Sequence, residues 1–171
     1  MIDLEIDGHQ LDQMVLDMAA TEDQARLALR STLNKMAAWL RVRSVKGLSK
    51  ELRMQQAIIR RRLRAVKFKQ TPDGGVAKVW YGLNPVDLIW LKAKETGSGV
   101  SAQGGRFVKG GFIATKQVFK RTGAARLPIQ KQSDAIEKPA EKTIAADGIM
   151  SAEFERQFWK TFEHELKWRT R

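Results

Sequence analysis

Apolar residues first appear as Ile2, Leu4 and Ile6 in alternation with acids, a short strand or coil. Leu11, Met14, Val15 and Met18 then fall at helical spacing. Thr21 with Gln24 three residues later is a capping box, so a helix should begin there. Ala25, Ala28, Leu29, Leu33, Met36, Ala37 and Leu40 continue in steps of three and four, predicting an amphipathic helix of about twenty residues that stops at Gly47. Ser49 is expected to cap a second helix, with Glu51 in its first turn and Leu52, Ile59 and Leu63 as its buried stripe.

Beyond Leu63 the period changes. Val66 and Phe68 alternate with Lys67 and Lys69, and Ala77, Val79, Tyr81 and Leu83 alternate with Lys78 and Trp80. Joined by Thr71-Pro72-Asp73-Gly74-Gly75, the two runs predict a β-hairpin. Asn84–Asp87 either caps a short helix or, as the preferred expectation, turns the chain into a third strand through Leu88–Leu91. Residues 92–105 are small and polar and predict a flexible loop. The stretch GGRFVKGGFIATKQVFKRTGAARLPIQ (104–130) is broken by glycines between short apolar groups. It reads as three or four strands of one antiparallel sheet, kinked at Gly104, Gly105, Gly110 and Gly111. Residues 130–150 look irregular. Ser151 should cap a closing helix, 151–169, in which Phe154, Phe158, Phe162 and Leu166 recur every four residues as a packing face; Trp159 and Trp168 lie off that row. The expected class is α+β: N-terminal helices, a small, mostly antiparallel sheet, and a long C-terminal helix packed on it, in a single domain spanning 1–171.

Charge refines this picture. The 171 residues carry a net charge of +12, distributed unevenly. Residues 1–23 hold seven acids (Asp3, Glu5, Asp7, Asp12, Asp17, Glu22, Asp23) and no lysine or arginine, so all 31 bases lie beyond them against the remaining 12 acids. An acidic arm and a basic body are unlike surfaces that could dock on one another, with charge setting orientation more than affinity. Arg60, Arg61, Arg62 and Arg64 crowd the end of the second predicted helix. They suit the helix dipole, and they are candidates for an anionic partner, nucleic acid or an acidic protein surface.

Chemistry-bearing patterns are sparse. There is no cysteine, and His9 and His164 stand outside any ligand spacing, so no metal site and no cofactor is expected. Phosphate-loop, dinucleotide, zinc-protease and nucleophile-elbow motifs are missing. The pairs Glu153/Glu155 and Glu163/Glu165 sit among bases on a helix, where ion pairs suit them better than acid–base work. No catalytic residue is assigned and no enzyme is expected. No apolar run approaches the roughly 18–20 residues of a membrane span, and the acidic N-terminus has the wrong sign for a secretory leader, so a soluble protein working where it is made is expected. Trp80, Trp90, Trp159 and Trp168 with the net charge leave room for nucleic-acid binding.

Four stretches together resemble the prophage minor tail protein Z family, the lambda-type tail completion proteins. They are ARLALRSTLNKMAAWLR (25–41), LSKELRMQQAIIRRRLRAVKF (48–68), the elements GGFIA, QVFKRTG and RLPI within 110–129, and FEHELKWR (162–169). The third is the most specific, because it fixes several residue types over a short span; residues 1–23 have no counterpart in the resemblance. The resemblance implies a structural virion protein at the head-proximal end of a phage tail, present in the host cytoplasm during assembly. It would form a ring of six copies that meets the tail terminator or tail tube and the head-completion proteins while DNA passes through. Ring subunits join through two different faces of one chain, which fits an acidic arm and a basic body. Candidate subunit-interface residues are Asp3, Glu5 and Asp7 on the arm and Phe112, Ile113, Phe119, Arg121 and Arg126 in the strand region. Two other readings remain open: a small basic nucleic-acid-binding protein, and an assembly chaperone absent from the finished particle.

Overall fold

The computed structural model describes residues 8–71, 74–146 and 152–171. Its elements in chain order are α1 (Gly8–Asp17), α2 (Glu22–Glu51), α3 (Gln56–Arg62), β1 (Leu63–Thr71), β2 (Gly74–Tyr81), β3 (Val86–Asp87), a 3-10 turn (Leu88–Leu91), β4 (Lys94–Thr96), β5 (Gly99–Ala102), β6 (Arg106–Lys109), β7 (Gly111–Ala114), β8 (Gln117–Arg121), β9 (Ile129–Lys131), β10 (Ser133–Asp134), α4 (Glu137–Ala146) and α5 (Ala152–Arg169). Helices with several small antiparallel sheets make this an α+β protein. The chain resolves into two compact units. One draws on Met1–Arg43, Leu63–Tyr81 and Asp147–Arg171, the other on Ser44–Arg62 and Gly82–Ala146.

In the first unit, α2 starts at the predicted capping box. The Gln24 N–H donates to Thr21 Oγ1 at 3.3 Å and the Thr21 N–H donates to Gln24 Oε1 at 2.8 Å. Helix α5 runs antiparallel to α2. The Gln24 side chain donates to the Arg169 carbonyl, Lys35 pairs with Glu165, the Trp39 and Phe154 rings meet edge-on at 6.0 Å, and Arg43 pairs with Glu153. Phe154, Phe158, Phe162 and Leu166 are all buried, as their spacing predicts. Ala28 and Thr32 on α2 are both fully buried as well. The Thr32 hydroxyl has no hydrogen-bond partner. Thr32→Val keeps the shape and removes that orphan, so it should raise the unfolding free energy by about 1 kcal/mol in denaturant titrations. Residues 2–6 of the expected leading strand and the expected Ser151 cap lie outside the described residues.

The predicted hairpin is present, with Leu63 opposite Tyr81, Arg64 opposite Trp80 and Val66 opposite Lys78. Beyond that the register shifts, and Lys69 faces Val76. The bulge separates Val66 and Phe68, which simple alternation would put on one face. The Phe68 N–H donates to the Asn34 side chain on α2, and Arg41 of α2 donates to the Leu63 carbonyl.

The second unit corrects several expectations. Helix α2 does not stop at Gly47 and is 30 residues long. An interior glycine costs only about 1 kcal/mol, and buried Ser44, Val45 and Leu48 around it hold the helix together. The stop is Arg53, a non-glycine residue in the left-handed region at φ 48°. With it the Met54 N–H reaches the Ser49 carbonyl at 3.1 Å, and Ser49 Oγ donates to the Met54 carbonyl. Ser49 therefore closes α2 rather than capping the next helix, and α3 has only seven residues. Leu52, Ile59 and Leu63 are buried as expected, but Leu52 precedes α3 and Leu63 opens β1.

Leu88–Leu91 forms a 3-10 turn, not a third strand. Residues 92–105 are not a flexible loop either: β4 and β5 pair there, and Val100 and Ala102 point into the core. Strands 104–131 divide into two sheets, β4-β5-β6 and β7-β8-β9, rather than one. Gly110, at φ 69°, turns the chain between them. Residues 130–146, expected to be irregular, form β9, β10 and α4; Pro139 is tolerated because it sits in the first turn of the helix.

Candidate functional site

The four clustered arginines fall on two elements. Arg60–Arg62 end α3 in the second unit, and Arg64 lies on β1 in the first. Arg62 is committed to the fold: its guanidinium donates to the carbonyls of Gly82 (3.2 Å), Asn84 and Pro85 (3.1 Å). The Gly82 N–H in turn donates to the Arg62 carbonyl at 2.8 Å. Only Arg60 and Arg61 remain exposed at that helix end. Asp3, Glu5 and Asp7 lie outside the described residues.

The strand-region candidates are organised by register. Phe112 faces Phe119, Ile113 faces Val118, and Arg121 faces Ile129. Directly opposed residues share a face, and alternate residues along a strand return to it. Val118 is fully buried, so Ile113 lies on the inner face, half-buried as Phe112 is on the other. Phe112, Phe119, Arg121, Ile129 and Lys131 form the outer face. There the two phenyl rings lie 6.1 Å apart and the Arg121 guanidinium stands 5.4 Å from the centre of the Phe112 ring. Lys131 pairs with Asp87 at 2.8 Å. Arg126 is in no strand; it sits in the exposed connection from β8 to β9, and Leu127 beside it is 67% exposed. The outer face is thus aromatic, cationic and continuous with an exposed apolar loop. Within this sheet β9, exposed along its length, has no strand on its far side.

The sequence reading passed over Arg106. Its Nε donates to Asp134 Oδ2 at 2.7 Å, while Nη1 and Nη2 each donate at 2.8 Å, to the carbonyls of Gln103 and Leu52. A Cβ on Gly104 would lie 2.0 Å from Arg106 Nη1 and 2.8 Å from the Arg53 carbonyl oxygen, so the guanidinium needs glycine there. This residue is a staple of the second unit. Its only sequence signal was a lone arginine after two glycines.

Among the described residues the one strongly shifted acid is Glu165, 6% exposed on α5. Burial raises its pKa, but hydrogen bonds from Lys35, Arg169 and Ser31 outweigh this and lower it from 4.5 to about 2. The carboxylate stays ionised and fully partnered, which is a packing role. A depressed folded-state pKa means stability that is complete above 4.5 and lost as pH falls from there toward 2. Discounted for the exposed Lys35, the contribution is about 2–3 kcal/mol. Urea unfolding of the protein and of Glu165→Gln should therefore differ by that amount at neutral pH and converge near pH 2. Glu163 pairs with Lys167 at the expected i, i+4 spacing on α5, whereas Glu153 pairs across helices with Arg43 on α2.

Among the described residues no group of three or more histidines and acids could hold a metal ion, and no helix is long and apolar enough to cross a membrane. No protein-family model, curated protein or solved structure matches the chain.

Proposed function

We propose that this chain is a structural subunit of a phage tail, without catalytic activity, which self-associates into a ring at the head-proximal end and enables head joining while DNA passes through. One coincidence carries the reading. Residues 110–129, the most specific part of the resemblance to tail completion proteins, also build the outward face of β7–β9 and its exposed loop. Phe112, Phe119, Arg121, Leu127 and Ile129 there combine burial potential with positive charge. A ring contact requires a second, unlike surface, and the acid-only segment 1–23 supplies the opposite sign. In this reading the neighbours are further copies of the chain, the tail terminator or tube, and head-completion proteins, and the protein resides in the virion.

The test is the mass of the purified, nuclease-treated protein at low and at high salt, alone and with purified tail tubes. A ring-sized species, formed alone or on the tubes, is expected. A monomer under every condition overturns the reading.

A further inference from the structure

The geometry points to the outer face of the β1–β2 hairpin as a binding surface for single-stranded nucleic acid. It stands apart from the ring reading, since it concerns the first unit and needs no second copy. The register places Arg64 beside Trp80, Val66 beside Lys78 and, because of the bulge, Lys69 beside Val76. Without the bulge Lys69 would fall on the opposite face. All six side chains are exposed, Trp80 to 53%. The opposite face carries Ala77, Val79 and Tyr81, which are less exposed, and buried Leu63.

Among the described residues the outer face therefore presents three cations, three large apolar groups and no acid. Among the described residues no carboxylate pairs with Arg64, Lys69 or Lys78. Arg64, Lys78 and Lys69 alternate between the two strands along this face, each opposite an apolar residue, so the cations form a staggered row. An indole flanked by such a row matches a strand whose phosphates are charged and whose unpaired bases offer flat faces for stacking. A duplex hides those faces, so it would use the cations and leave Trp80 idle. Arg60 and Arg61, exposed at the end of α3, lie in a helix and have no strand register to set an aromatic opposite them.

The test titrates the full-length protein into labelled oligothymidylate and into a duplex of equal length, over a range of salt. Binding to the single strand should weaken steeply with salt. Arg64→Ala/Lys69→Ala/Lys78→Ala should raise Kd by about 30-fold or more and flatten the log–log salt slope by about two, since each phosphate contact on a single strand contributes about 0.7. Trp80→Ala should raise Kd by about 5-fold to 100-fold without changing that slope. Lys94→Ala/Lys138→Ala/Lys142→Ala removes the same charge from exposed positions of the second unit and should have little effect. All substituted positions are exposed, and circular dichroism of each variant checks that it folds. The proposal is overturned if the single strand is not bound, if the two triple variants weaken binding equally, if duplex binds as well and Trp80→Ala is silent, or if the hairpin triple changes the oligomeric mass instead.

Discussion

Arg106→Met should lower the stability of the second unit by about 3–5 kcal/mol. The guanidinium is 18% exposed and bridges three chain segments: Asp134 on β10, the Gln103 carbonyl in the β5–β6 turn and the Leu52 carbonyl after α2. Methionine fills much of the volume but leaves a half-buried carboxylate and two carbonyls without donors, and removing one partner of such a pair is costlier than never having built it. Arg106→Lys restores the charge without the fork and should recover less than half of the loss. Hydrogen exchange at Val100 and Val108, on the adjoining strands, is the appropriate readout because it reports this unit by itself. Unchanged protection would show that the network contributes geometry and little energy.

The second large effect concerns assembly. Leu127→Glu with Ile129→Glu should weaken self-association by more than about 100-fold while leaving hydrogen exchange in the core unchanged. Both residues are exposed, so neither substitution disturbs packing within the chain. In an assembled interface each would bury an unpaired carboxylate, and two such costs exceed what a contact of ordinary size can absorb. Sedimentation over a concentration series decides it. A double variant that assembles at wild-type concentrations would show that this surface is not where copies meet.

The features legible from sequence were those whose chemistry is local. Thr21 and Gln24 form their capping box within one turn, and the phenylalanine row of α5 declares its buried face by period alone. The features missed depend on distant neighbours. Gly47 reads as a stop until Ser44, Val45 and Leu48 are known to be buried around it. Residues 92–105 read as a loop because only Val100 and Ala102 carry the alternation, and glycines and polar residues hide so short a signal. Arg53 takes a backbone conformation usually given to glycine, which its side chain does not announce. At the candidate surface, Phe112 and Ile113 are neighbours in sequence but opposites in a strand; register alone separates them. The bulge after Val66 works in the same way, because it moves Lys69 to the face that simple alternation denies it. Arg62 shows the limit of reading charge without structure, since three backbone carbonyls already claim it.

The two units are interleaved along the chain, and this sets an order of folding during synthesis. The second unit is complete once α4 has emerged from the ribosome, because it needs only Ser44–Arg62 and Gly82–Ala146. The first cannot close until α5 arrives, since Phe154, Phe158, Phe162 and Leu166 supply a large part of its core. Until then Trp39 on α2 lacks the Phe154 ring it meets, and a nascent chain stalled before Ala152 would leave that part of α2 open to chaperones and proteases while its second unit can already fold.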